Sequence, residues 1–190
     1  MMETIATLST ALGLGVGAGV NAYATFLVYG LLARFYPQMF SGDLAEFFSS
    51  TPVLIALGVL YAIEFVADKV PVIDHAWDAV HTFIRPLAGA VVAFSSATEM
   101  PTEIAVAASI LGGSAALGSH VLKSSVRAAS TATTGGAANP ILSLGEDVFA
   151  VVQAVVAVFL PFVVLAVVAV VLVAAMIWLA RRGRRSAPAR

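Results

Sequence analysis

The sequence contains no cysteine, which excludes structural disulfides, thiolate metal sites and a cysteine nucleophile, and leaves stability to packing. Charge is scarce as well. Asp, Glu, Lys and Arg are 11% of the 190 residues, where a soluble domain carries about a quarter. The opening Met1-Met2-Glu3-Thr4 lacks the basic segment of a signal peptide, and the apolar run behind it is too long for a signal core, so it reads as a retained first helix. No Walker loop, nucleophile elbow or dinucleotide-binding glycine fingerprint stands between a strand and a helix, and nothing points to nucleotide or flavin binding. A net charge of -1 gives no reason to expect a nucleic-acid partner.

What the chain does have is apolar surface: 60% hydrophobic residues and a mean hydropathy of +0.97. A spanning helix needs roughly 20 apolar residues, so this length holds about six spans and no separate soluble domain. The expected fold is an all-α polytopic membrane helix bundle, with one transmembrane domain over residues 1–180 and a basic cytoplasmic tail over 181–190. The first span is read over 5–34 and the second from Pro52 to Lys69, closed by Pro71. The third runs from Asp74 to about Thr98, beginning at the interface because its first half is amphipathic. The fourth follows Pro101 and ends near Arg127, the fifth starts near Pro140, and the sixth is the Val-rich run from Phe162 to Ala180, anchored by Trp178.

Five of the ten Lys and Arg residues lie in the last ten positions. By the positive-inside rule this puts the C-terminus in the cytoplasm, and an even number of spans puts the N-terminus there too, in a multi-pass protein of the inner (cytoplasmic) membrane. Three spans per half, 1–98 and 99–180, leave room for a 3+3 inverted repeat. Leu12-Gly13 and Gly19-Val20-Asn21 align without gaps on Leu111-Gly112 and Gly118-Ser119-His120.

The first span carries Gly13, Gly15, Gly17 and Gly19 ahead of Asn21. Two readings fit. The glycines let helices approach closely, or they loosen the helix and expose backbone groups, as in the broken helices of transporters. Asp74, Asp78, His81 and Arg85 follow at helical spacing on one face, which reads as a solvated interfacial stripe or as an inward-facing one. His120, Lys123 and Arg127 form a basic stripe on the fourth span, Glu64 and Asp68 are four apart on the second, and Asn139, Ser143, Glu146 and Asp147 open the fifth.

An ionised group facing hydrocarbon costs roughly 3 kcal/mol even on lenient scales, so these acids and bases cannot all face lipid. They are expected to turn towards one another or towards a water-filled cavity, with acid in excess to hold protons or cations. A set of ion pairs that merely orients the helices is the alternative.

Gly19-Val20-Asn21-Ala22-Tyr23, Glu64 to Pro71 (EFVADKVP), Asp74 to Pro86 (DHAWDAVHTFIRP) and Ser143 to Asp147 together resemble the bacterial membrane family called domain of unknown function 4126. The resemblance covers nearly the whole chain and is most specific from Glu64 to Ala90. That family has no established activity, so it assigns no functional residue.

The function expected from these residues is a small secondary transporter or channel for a polar solute, ion or lipid headgroup. Its binding or coupling residues are drawn from Asn21, Glu64, Asp68, Asp74, Asp78, His81, Arg85, His120, Lys123, Arg127, Asn139, Ser143, Glu146 and Asp147. No catalytic residue is assigned. No cofactor is expected, although proton or metal-ion coupling is compatible with these groups. Two alternatives are a membrane-embedded metal-dependent enzyme acting on a lipid, with Asp74, Asp78 and His81 as weak candidate ligands, and a non-catalytic scaffold. The expected partners are the lipid bilayer, a small polar or anionic substrate and, through the sixth span, a second copy of the chain.

Overall fold

The computed structural model describes residues 1–69 and 71–185, and their side chains except at 71–77, 179 and 183–185. Among the described residues the chain is helical throughout, without strands: α1 (Met2–Val20), α2 (Ala22–Phe35), α3 (Asp43–Ser49), α4 (Thr51–Ala67), α5 (Pro71–Ser95), α6 (Thr102–Thr134), α7 (Asn139–Phe159) and α8 (Pro161–Arg185). A single 3-10 turn, Pro37–Met39, links α2 to α3.

Four stretches are long and apolar enough to cross a membrane: α1, α6, α7 and Pro161–Arg182 of α8. A fifth follows if α3 and α4, which meet at a 64° bend, count as one broken span. The composition therefore does what it promised at the coarse level, an all-helical membrane protein. The details differ from six simple spans.

The largest difference lies in the first apolar run, which folds into two helices. Asn21 is extended (φ -147°, ψ 105°), its N–H still closes α1 on Gly17 O, and its side-chain oxygen accepts from Ala24 N at 2.9 Å to cap α2. One residue thus ends one helix and starts the next. The chain then doubles back: Thr25 lies against Gly17, Tyr29 shares a cavity with Thr10, Thr7 and Glu3, and Tyr36 packs edge-on to Phe159. With 14 residues, α2 is about 21 Å long, short of the roughly 30 Å hydrocarbon layer.

Contacts sort the rest into two ends. Glu3, Ser41, Ser95, Thr98 and Pro161 gather at one, and Asn21, Glu64, Asp68, Arg85, Lys123 and Asp147 at the other. α1, α4, α6 and α8 run from the first end to the second, and α2, α5 and α7 return. α1 and α6 therefore run in the same sense, with Ser119 Oγ donating to Val16 O at 2.9 Å and Lys123 Nζ to Val20 O at 3.1 Å. An inverted repeat sets the first and fourth spans in opposite senses, and that relation is not seen between these two helices.

α1 is the axis of the bundle, touching α2, α5, α6, α7 and α8. Its glycines make this possible. A Cβ on Gly13 would stand 2.7 Å from Ala157 Cβ, one on Gly15 would enter the Gly112 backbone, and one on Gly19 would meet Ala116 and Ser119. Gly89 on α5 is pressed the same way, its Cβ position lying 2.7 Å from Gly112 O. The glycine run is thus a packing surface. Along α1 neutral side chains of other helices reach its carbonyls, Ser119 at Val16 O and Gln153 at Gly13 O, and charged ones arrive where α1 stops.

Candidate functional site

The end of α1 is where the charges collect. A helix C-terminus leaves its last carbonyls without intrahelical partners and carries partial negative charge, so cations are favoured there. Two arrive from two different helices. Arg85 of α5 reaches Gly19 O at 3.5 Å, and Lys123 of α6 reaches Val20 O at 3.1 Å.

Arg85 has no exposed surface. Its Nη2 donates to Glu64 Oε1 at 2.8 Å, and its Nη1 donates to His120 Nδ1 at 2.7 Å and lies 3.3 Å from Asp78 Oδ1. Because a guanidinium only donates, His120 Nδ1 must accept, which leaves Nε2 as the N–H that faces Thr82 Oγ1 at 3.0 Å. Thr82 in turn donates to Asp78 O. Here α4, α5 and α6 are joined through one buried guanidinium.

A second group lies deeper in α6. Asp68 Oδ2 accepts from both Lys123 Nζ and Arg127 Nη2 at 3.1 Å. Arg127 also clasps Glu146 of α7, through Nε at 3.0 Å and through Nη2, and Lys123 Nζ stands 3.5 Å from the same carboxylate. The third group joins the α1–α2 turn to α7. Asn21 Nδ2 donates to Asp147 Oδ1 at 2.9 Å, while Lys69 Nζ lies 3.5 Å from Asp147 Oδ2, 3.3 Å from Ser143 Oγ and 3.2 Å above the Phe65 ring.

The expected site residues are therefore mostly together: Asn21, Glu64, Asp68, Asp78, Arg85, His120, Lys123, Arg127, Ser143, Glu146 and Asp147 all touch the network. His81 is buried beside it, edge-on to Tyr23 at 5.6 Å. Asn139 stands apart, donating to Thr131 at the α6–α7 connection. The Asp74 side chain lies outside the described residues. The α5 stripe faces inward at His81 and Arg85, while Val80, Phe83 and Leu87 point outward.

The basic stripe of α6 meets acids from α4 and α7, and the described acid of α5, Asp78, pairs with Arg85 on its own helix. Lys69, Thr82 and the Gly19 and Val20 carbonyls were not singled out as site groups from sequence. Lys69 carried a signal, being one position beyond Asp68 and four beyond Phe65; the carbonyls carried none.

Four cations, Lys69, Arg85, Lys123 and Arg127, face five carboxylates, Glu64, Asp68, Asp78, Glu146 and Asp147. Three buried carboxylate oxygens, Glu64 Oε2, Asp68 Oδ1 and Asp78 Oδ1, find no hydrogen-bond partner among the described residues, although Asp78 Oδ1 lies 3.3 Å from Arg85 Nη1. Buried polar atoms are nearly always satisfied, so Glu64 Oε2 and Asp68 Oδ1 are places where a proton, a cation or water fits. Among the described residues no three of His, Asp and Glu surround one point as metal ligands would.

Fold and site together define a class, a helical membrane protein whose long apolar helices enclose an ion-pair network. The chain belongs to the family described as Domain of unknown function (DUF4126), whose sequence model matches residues 8–182. No curated protein and no solved structure matches it.

Proposed function

We infer that the protein is a small secondary transporter or channel in which the network around Arg85, Lys123 and Arg127 binds a small polar or anionic solute, with Glu64 and Asp68 coupling its passage to protons or cations. The observation that carries this reading is the pair of oxygens on Glu64 and Asp68, one helical turn apart, that lack hydrogen-bond partners alongside Asp78 Oδ1, in a network whose described groups include one more acid than base. Each unpaired buried carboxylate oxygen destabilises a purely structural set of ion pairs, which favours a binding role for these two. The interrupted backbone at Asn21 supports the same reading, since helix ends inside membranes are where transporters hold ions.

The orientation that suits this reading has the network end of the bundle facing the cytoplasm across the inner membrane. Nine of the ten Lys and Arg residues belong to that end or to the chain that follows α8, and Arg34 alone belongs to the other. Because α1 and α8 run in the same sense, the start of α1 then faces outward. This replaces the expectation of two cytoplasmic termini.

The test is charge movement in proteoliposomes after rapid jumps in proton, sodium or potassium concentration. The wild type gives a transient current for one of these ions. Glu64→Gln keeps an acceptor for Arg85 and therefore the fold, yet abolishes the current. Absence of current for all three ions, with correctly folded protein, would remove the coupling role.

A further inference from the structure

A second feature lies on the other side of α6. α6 and α7 are neighbours in sequence, yet α6 packs on α5 and α1 and α7 packs on α1 and α2, which leaves a furrow between them, walled further along by α8. Two cavities of about 390 and 400 Å³ make up this furrow and share Val16, Ser119, Leu122 and Phe149. It is apolar along its length, and its charged groups, Lys123 and Glu146, stand at one end.

Two glycines border it, Gly118 in one cavity and Gly145 in the other, and a Cβ on either would meet nothing within 4 Å. They differ in this from Gly15, Gly19, Gly89 and Gly112, which are glycines because a neighbouring helix fills the space. Glycine is disfavoured in a helix interior, and here no contact among the described residues accounts for it. Its effect is to deepen the furrow.

We propose that this furrow is a binding site for an anionic phospholipid, holding one acyl chain between α6, α7 and α8 with the phosphate at the Lys123 end. The helices around it are of membrane-spanning length, so hydrocarbon lies outside it. Its polarity, apolar with charge at one extremity, matches an amphiphile. The sign of the charge follows from α8, which walls the furrow as far as Leu172 and continues to the exposed Arg181 and Arg182, with Arg182 over the Trp178 ring at 4.2 Å. An aromatic anchor followed by basic residues marks headgroup depth and favours anionic lipid. A phosphate at this end competes with the partly exposed Glu146 for Arg127 and Lys123. Lipid occupancy stands whether or not the network moves an ion.

Native mass spectrometry of the purified, delipidated chain titrated with phosphatidylglycerol or with phosphatidylethanolamine of the same acyl chains tests this. The expected result is one tightly held phosphatidylglycerol per chain, preferred by roughly tenfold over the zwitterionic lipid. Gly118→Leu/Gly145→Leu, whose added Cβ atoms meet nothing within 4 Å and whose side chains occupy the furrow, loses that lipid while remaining folded and monodisperse. Equal retention by the filled variant, or no preference between the lipids, overturns the proposal. So does a wild-type dimer that the filled variant converts to monomer, because the furrow then receives a second copy. If the filled variant fails to fold, crowding the furrow with Gly145→Val alone supplies the same comparison.

Discussion

Asn21 and Asp147, 126 positions apart, are joined by a 2.9 Å hydrogen bond that ties the turn between α1 and α2 to the first turns of α7. The same Asn21 side chain caps α2 through its oxygen, so both halves of the amide are used. This joint fixes the direction of α2 and the position of the α1 carbonyls that receive Arg85 and Lys123.

Asn21→Ala is expected to remove the cap and one Asp147 partner together. Loss of an N-cap alone costs about 1–2 kcal/mol, and an under-satisfied buried carboxylate adds to it. Thermal unfolding in detergent measures the sum. Asn21→Asp keeps a capping oxygen but brings a second carboxylate against Asp147, so it should be no better than the alanine variant at neutral pH.

Arg85→Leu leaves Glu64 buried with no described cation in contact, a situation that typically costs about 3–5 kcal/mol. Adding Glu64→Leu removes the stranded charge, so the double variant should unfold at a higher temperature than Arg85→Leu alone. A double variant no more stable than the single one would contradict the pairing.

The group around Asp68 should behave as a unit. Asp68→Asn and Lys123→Gln each break contacts shared with Arg127 and Glu146, and their combined effect should fall short of the sum by about 1–3 kcal/mol. Equilibrium unfolding of the two singles and the double reads out that coupling. Strict additivity would mean that the pair does not interact.

Glycine replacements should divide cleanly. Gly15→Ala and Gly112→Ala push a methyl into facing backbone or side chain and are expected to abolish stable folding. Gly58→Ala meets nothing within 4 Å and should be neutral or stabilising by about 0.5–1 kcal/mol. Expression level and monodispersity on size exclusion separate the two classes.

Much of the candidate site was legible because charge inside hydrocarbon has few places to go. The spacing of His81 and Arg85 placed them on one face of α5, and that face is buried. Partner choice was not legible: helical periodicity orders residues along one helix, while the acids that meet Lys123 and Arg127 come from α4 and α7, set by tertiary packing. The α1–α2 turn was hidden for a different reason. No proline interrupts residues 5–34, and one asparagine in an apolar run gives no sign that it will act as the end of one helix and the cap of another.

The doubling-back at Asn21 also bears on how the chain is made. The first 35 residues form a hairpin, and the groups that complete its turn, at positions 85, 123 and 147, are synthesised afterwards. The Gly19 carbonyl gains its donor only with Arg85, the Val20 carbonyl only with Lys123, and the Asn21 amide its acceptor only with Asp147. The N-terminal hairpin is thus closed by residues that lie 66 to 126 positions beyond the groups they meet, so a truncation before position 147 leaves its turn incomplete.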